Sequence, residues 1–592
     1  MSLRPDRATA WREVLSQQAT SWSSPRSLSR PYAAKWQTLG PEWPRRLLHI
    51  PTMTSVERMP GDMYRGEHRP KYNILSYTWG RWEIRDHEPE NRLGISGVSW
   101  TIPAVTCFTV EEFRQVILKM GETAPFAWVD IACIDQENYP VKMDEVGRQA
   151  GIFANAHRVY VWLWSIDMSS MESSVLTVIK DSTVTADRSP GGRDSLAVLK
   201  DVTDSVERIF GDWWFSSLWT LQEGVLRQDA IFLSRDGQLL KDLVDMYRDS
   251  NRSKGLNPEN VETPYYNPGS LSYLTEKAYL VYSQLTHINN RFNEPQMRPL
   301  RDMALHRLLQ AGCASPPTSN PNVQYATAKH RQATNEADRI YGIMAVYGIK
   351  VGAAAPGANT SRVYSLAELE NEFVSALNAH SPLLGQMFVH TQKPRPGKTW
   401  QLTQDSRFPI ETLANYESHH SFDHCTISAG PSGSTAARIG GHLTPLYSLL
   451  SYWRACEGPN TQPPGGFTDL GFELDDYLSR EYPSIPRPYE YLSWRGPADT
   501  FGQYLLGVVY RTSEALLEVF GRDRVSVLLL GTREGARVFH PLLYGIVLLH
   551  DEDDWNSCQR LGLCLWPTNP WNGVAIEEHQ MPQWTRYDGD IH

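Results

Sequence analysis

Arg158-Val-Tyr-Val-Trp-Leu-Trp164 decides the fold class. Six apolar residues follow one arginine without polar alternation. A run of that length suits a strand buried on both faces, the habit of parallel sheets covered by helices. Working outward, three similar runs appear: Tyr72-Asn-Ile-Leu-Ser-Tyr77, Phe126-Ala-Trp-Val-Asp-Ile131 and Asp229-Ala-Ile-Phe-Leu-Ser234. The segments between them change period. Val105, Phe108, Phe113, Val116, Ile117 and Met120 recur at helical spacing, and Gly121 follows as a stop. Val146, Ala150, Phe153 and Ala154 mark one face of a helix over 141–156. A weaker helical stretch covers 170–210, broken by Pro190-Gly-Gly192, and a short helix covers 216–226. Ile95–Ile102 reads as a small hairpin around Gly97. Strands alternating with helices give an α/β fold: an open parallel sheet with helices on both faces.

That core occupies residues 61–240 of 592, and a chain this long divides into two to four domains. Residues 1–60 read as an N-terminal arm, of which 17–45 are rich in Ser, Pro, Arg and Trp. Residues 241–380 read as a mainly helical linker region, with helices near 334–347 and 365–379. Residues 381–592 read as a C-terminal α+β region, with strands at Val525–Leu530 and Tyr544–Leu549.

Composition narrows the function. Lys and Arg number 57 against 67 Asp and Glu, a net charge of −10, which argues against nucleic acid as partner, since phosphate binding needs a basic surface. No window approaches 18 uninterrupted apolar residues, and the N-terminus lacks the apolar core of a signal peptide, so a cytoplasmic chain with no membrane span is expected. The seven cysteines are dispersed, with no CxxC, which speaks against a disulfide framework or structural zinc. His419, His420, His424 and Cys425 fit no standard zinc spacing and read as a polar loop. No GxGxxG is present, so nothing marks a dinucleotide-binding dehydrogenase.

In open α/β sheets ligands bind beyond the carboxyl ends of the strands. Here those ends carry Ser76, Tyr77 and Trp79 after the first strand, then Asp130 and Asp135 after the second. The helix bearing Trp219 and Glu223 can approach the same edge. Aromatic walls, hydroxyls and carboxylates together make a ligand pocket. Each residue also has a plainer reading. Trp219 and Trp79 suit core packing, Asp135 suits helix capping, and Asp130 suits a structural acceptor. Cys133 has no histidine beside it in the sequence and reads as a small buried hydrophobe.

Three segments resemble the blocks of the HET domain, the module of fungal heterokaryon-incompatibility proteins. They are Tyr72-Asn-Ile-Leu-Ser-Tyr-Thr-Trp-Gly80, Trp128-Val-Asp-Ile-Ala-Cys-Ile-Asp-Gln136 and Trp213-Trp-Phe-Ser-Ser-Leu-Trp-Thr-Leu-Gln-Glu223. Asp338-Arg-Ile-Tyr-Gly-Ile-Met344 resembles a segment often found downstream in such proteins. One position departs: the family commonly has Arg two residues before the tryptophan of the third block, where this chain has Ser217.

HET domains are in turn similar to TIR domains, which share a flavodoxin-like parallel sheet flanked by helices. Some TIR domains cleave the nicotinamide–ribose bond of NAD with a Glu four residues after a Trp, the spacing of Trp219 and Glu223. The resemblance therefore implies an NAD nucleosidase with Glu223 catalytic. Ser76, Tyr77, Trp79, Asp130, Asp135 and Trp219 would bind substrate, with no metal and no cofactor beyond NAD as substrate. It implies self-association through the HET domain and a role in non-self recognition or regulated cell death. The competing reading is a non-catalytic signalling module that acts only by association.

Overall fold

The computed structural model describes residues 42–78, 83–84, 93–102, 104–105, 107–181, 195–240, 269–287, 295–314, 321–359, 362–408, 421–430, 436–457, 470–486, 501–533, 542–567 and 581–592. The chain divides into two compact units, one ending at Leu369 and one running from Glu370 to His592.

The first unit is built on a six-stranded sheet. Its strands are β1 (Arg46–His49), β2 (Thr54–Glu57), β3 (Tyr72–Ser76), β4 (Phe126–Trp128), β5 (Arg158–Trp162) and β6 (Ile231–Leu233), ordered β6-β5-β3-β4-β1-β2. The pairs β6–β5, β5–β3 and β3–β4 are parallel. β1 lies antiparallel to β4 and to β2. The expected parallel sheet is therefore a mixed one, with an antiparallel pair at one edge. That pair comes from the stretch read as an arm. Leu47 and Leu48 are fully buried in the core, although Arg46-Leu-Leu-His49 is too short to show a period.

The helices α1 (Val110–Gly121), α2 (Tyr139–Gly147), α3 (Gln149–Asn155), α4 (Met168–Asp181), α5 (Ser195–Phe210) and α6 (Leu218–Leu226) lie between the strands in sequence. α1 starts at 110 rather than 105 because Thr109 and Glu112 form a capping box: the Thr109 hydroxyl takes the Glu112 N–H at 3.1 Å, and the Glu112 carboxylate takes the Thr109 N–H at 2.7 Å. The single helix expected over 141–156 breaks at Arg148 into α2 and α3. The expected strand to Ile131 stops at Trp128, and Asp130–Cys133 makes one helical turn. Ser96 bridges Thr54 instead of closing a hairpin on its own segment.

The unit continues past residue 240 with α7 (Leu271–His287), α8 (Arg298–Ala311), α9 (Pro321–Ala328) and α10 (Asp338–Met344). A buried cluster running from Trp43 to Cys313 joins the sheet to α7 and α8.

The second unit holds an eight-stranded sheet. The helix α11 (Leu366–His380) leads into it. Its main strands are β7 (Ala437–Pro445), β8 (Val525–Arg533), β9 (Leu542–His550), β10 (Ser557–Pro567) and β11 (Thr585–Ile591). β7 pairs with both β11 and β8, so these five strands close a ring. Closure removes exposed strand edges.

Candidate functional site at the strand ends

In the parallel part of the sheet the chain passes from β3 to β4 on one side, then to β5 on the other. That reversal opens a crevice at the carboxyl end of β3, where Ser76 and Tyr77 stand.

Ser76 is 1% exposed, and its hydroxyl has two partners. The indole Nε1–H of Trp214 donates to it at 2.7 Å. The hydroxyl donates in turn to Oε2 of Glu223, from α6. Glu223 is half-buried as a residue, but its carboxyl lies in a desolvated setting. Desolvation drives its pKa up to about 8. The Ser76 hydrogen bond pulls it down, and the charge of Asp130 adds to the rise. A neutral carboxylic acid therefore predominates at pH 7, beside a second carboxyl group.

Tyr77 is buried against Phe108, Phe113 and Trp162. Burial, then the charge of nearby Asp130, raises the Tyr77 phenol well above its ordinary value. Asp130 follows β4, and its Oδ1 accepts the Ile131 N–H at 2.7 Å. Ser76, Tyr77, Asp130 and Glu223 thus form one cluster from three separate parts of the chain.

The other expected site residues lie elsewhere. Asp135 accepts the N–H groups of Glu137 and Asn138 at 3.1 and 3.0 Å, which closes its own turn. It lines a surface cleft with Trp100 and Tyr139. Trp219 turns to α10, where its Nε1–H donates to Oδ2 of Asp338 at 3.2 Å. Trp79 lies outside the described residues, as do His419 and His420. Cys133 is buried, and desolvation pushes its thiol up to about 12, so it is no nucleophile near neutrality.

Two supporting residues escape a sequence reading. Trp214 orients Ser76, but nothing in Trp213-Trp-Phe215 says which indole turns inward. Asp212, buried and raised by desolvation, accepts from the Ser165 and Trp214 N–H groups at 3.2 and 2.9 Å, and so fixes the approach to Trp214.

The third block is also tied to the downstream segment. The Gln222 amide donates to Oε1 of Gln149 at 2.6 Å and accepts the Ala345 N–H at 3.0 Å. Gln332 exchanges backbone hydrogen bonds with Ser216 and Leu218 at 2.7 and 3.0 Å. Residues 331–345 therefore hold the helix that carries Glu223.

The fold and site define an α/β domain with paired carboxyl groups at a strand-end crevice. Residues 72–223 match the family described as Heterokaryon incompatibility protein (HET), a stretch that runs from β3 to Glu223. Over 195 residues the chain is 26% identical to Heterokaryon incompatibility protein 6, OR allele, of Neurospora crassa. That similarity covers 28% of this chain and 28% of the relative, so the chain spans well under a third of the curated relative it matches. No solved structure matches. Among the described residues no helix is long and apolar enough to cross a membrane.

Proposed function

We propose that this is a heterokaryon-incompatibility-type protein whose HET domain hydrolyses the nicotinamide–ribose bond of NAD, with Glu223 as the essential carboxylate. The observation that carries this reading is the gathering of Glu223, Ser76, Tyr77 and Asp130 at a topological switch point. The strand order of the parallel part, second-first-third-fourth in chain order, supports a flavodoxin-like and TIR-like ancestry.

The chemistry suits the groups present. Cleavage sends the C1′–N1 electron pair to the nicotinamide ring, which neutralises the pyridinium, so the leaving group needs no proton. The ribose becomes oxocarbenium-like, water adds at C1′, and one proton is released with ADP-ribose. A carboxylate beside C1′ stabilises the developing positive charge. Glu223 works in its ionised form, and the cationic substrate favours that form on binding.

Nicotinamide release from NAD is the test, measured for the full chain and for residues 42–369 at high protein concentration. Glu223→Gln is expected to lower the rate by about 10²–10³, the usual loss when one preorganised electrostatic group is removed. In the wild-type protein kcat/KM should climb as pH rises through about 8, the value set by Glu223. A folded, self-associated protein that releases no nicotinamide refutes the hydrolase reading.

The competing reading is an association module without chemistry. Trp219 and Gln222, neighbours of Glu223 on α6, both hold the downstream segment, which favours a structural use of this block. Saturable NAD binding separates the two, since a pure association module binds none.

A further inference from the structure

A cavity of about 60 Å³ lies among α6, α7, α9 and the end of α8. Arg331 lines it, with Trp214, Gln228, Thr275 and Gln324 among its neighbours. Arg331 is 3% exposed. Its Nη1 donates to the carbonyls of Trp214 and Ser217 at 2.9 and 3.2 Å, and its Nη2 donates to that of Ala311 at 2.6 Å. Its Nε–H has no hydrogen-bond partner among the described residues.

Among the described residues no Asp or Glu lines the cavity. Burial lowers the Arg331 guanidinium only to about 9, so it stays charged at neutral pH. Among the described residues the ionisable group whose charge would favour it is Cys313, and burial holds that thiol at about 12, hence neutral. Three carbonyl dipoles, one of them at the C-terminus of α8, offset part of the cost of a buried cation. They supply no counter-charge, and buried charges are ordinarily paired.

We propose that this cavity binds a small monovalent anion, a halide or a formate-sized carboxylate, as the counter-ion of Arg331. The free Nε–H provides a charge-assisted donor, and Gln228 and Gln324 line the same space. The space equals a few water positions, which excludes a nucleoside phosphate. This site is separate from the Glu223 cluster. Trp214 stands between them, its ring walling the cavity and its N–H holding Ser76.

The test is thermal unfolding of the full chain at constant ionic strength, with sodium gluconate replaced stepwise by sodium chloride or by sodium formate. Chloride or formate should raise the melting temperature saturably, by about 2–4 °C at ten times the dissociation constant. A response to chloride alone assigns a halide site, and a stronger response to formate assigns a carboxylate site. Thr275→Leu, which keeps Arg331 but fills the cavity, should abolish the response while the protein still folds. Arg331→Met should do the same, and if that variant fails to fold, Thr275→Leu decides alone. Equal melting in all three salts overturns the proposal, as does a response that survives undiminished in folded Thr275→Leu.

Discussion

Glu223 is held in a setting that resists its ionisation, and the protein's stability should carry that mark. Its ordinary value is 4.5 and its value in the fold about 8. Between those limits the folded chain keeps a proton that the unfolded chain has released. Stability therefore falls as pH rises through this window and levels off above about 8. Glu145, raised by burial to about 7, adds to the fall over the lower part of the window. Glu223→Gln removes one of these terms and still offers Ser76 an acceptor. In urea unfolding, wild type should lose more stability than Glu223→Gln between pH 5.5 and 8.5, with the two closer at the acid end. Parallel curves would show that Glu223 ionises freely in the fold. A second change, Trp214→Phe, puts a smaller ring in the buried site and deletes the donor to Ser76. It should cost more than the roughly 1 kcal/mol net worth of a hydrogen bond, because buried ring volume is lost as well.

At the scale of elements, helix α6 does not stand alone. Trp219, Gln222, Ser216 and Leu218 all bond to residues between 332 and 345. A fragment ending near residue 240 should lose cooperative unfolding by circular dichroism, whereas residues 42–369 should retain it. The cap of α1 is a smaller matter: Thr109→Ala should cost about 1 kcal/mol in urea unfolding. The four parallel strands were legible because apolar runs of strand length stand between segments of helical period. The edge pair was not, since Arg46–Glu57 holds only short apolar stretches around Pro51. Nor was the turn at Asp130–Cys133, where tertiary context overrides a run that reads as strand. At the candidate site, Ser76, Tyr77 and Asp130 were legible from their places after strands, and Glu223 from its spacing after Trp219 in the family resemblance. The different placement of Trp219 was not, because its partner Asp338 lies 119 residues away.

Over the whole molecule, each unit has its own apolar cluster, one within residues 43–313 and one within 446–566. Two calorimetric transitions are expected. In the second unit Arg560 and Asp475 form an ion pair at 2.7 Å with both side chains fully buried. The Asp475→Ala change leaves an unpaired guanidinium and should destabilise by about 3–5 kcal/mol. It should lower one transition and leave the other in place, and a shift in both would show that the units unfold together. The ring of strands behind that prediction was not readable in advance. β7 and β11 pair across 142 to 154 residues, from Leu443↔Thr585 to Ala437↔Ile591, and local periodicity carries no sign of such pairing.

The bond sequence from Trp214 through Ser76 to Glu223 runs in one direction only. An indole N–H can donate but never accept, so the serine proton is committed to Glu223 Oε2. When Glu223 takes up its own proton while Oε2 keeps the Ser76 hydrogen bond, the proton settles on Oε1. The two oxygens of one carboxyl group thereby become chemically distinct, one a fixed carbonyl and the other the acid. Infrared difference spectra taken across the Glu223 titration can see this. The protonated C=O stretch should lie low in frequency while Ser76 holds it, and should move up in Ser76→Ala.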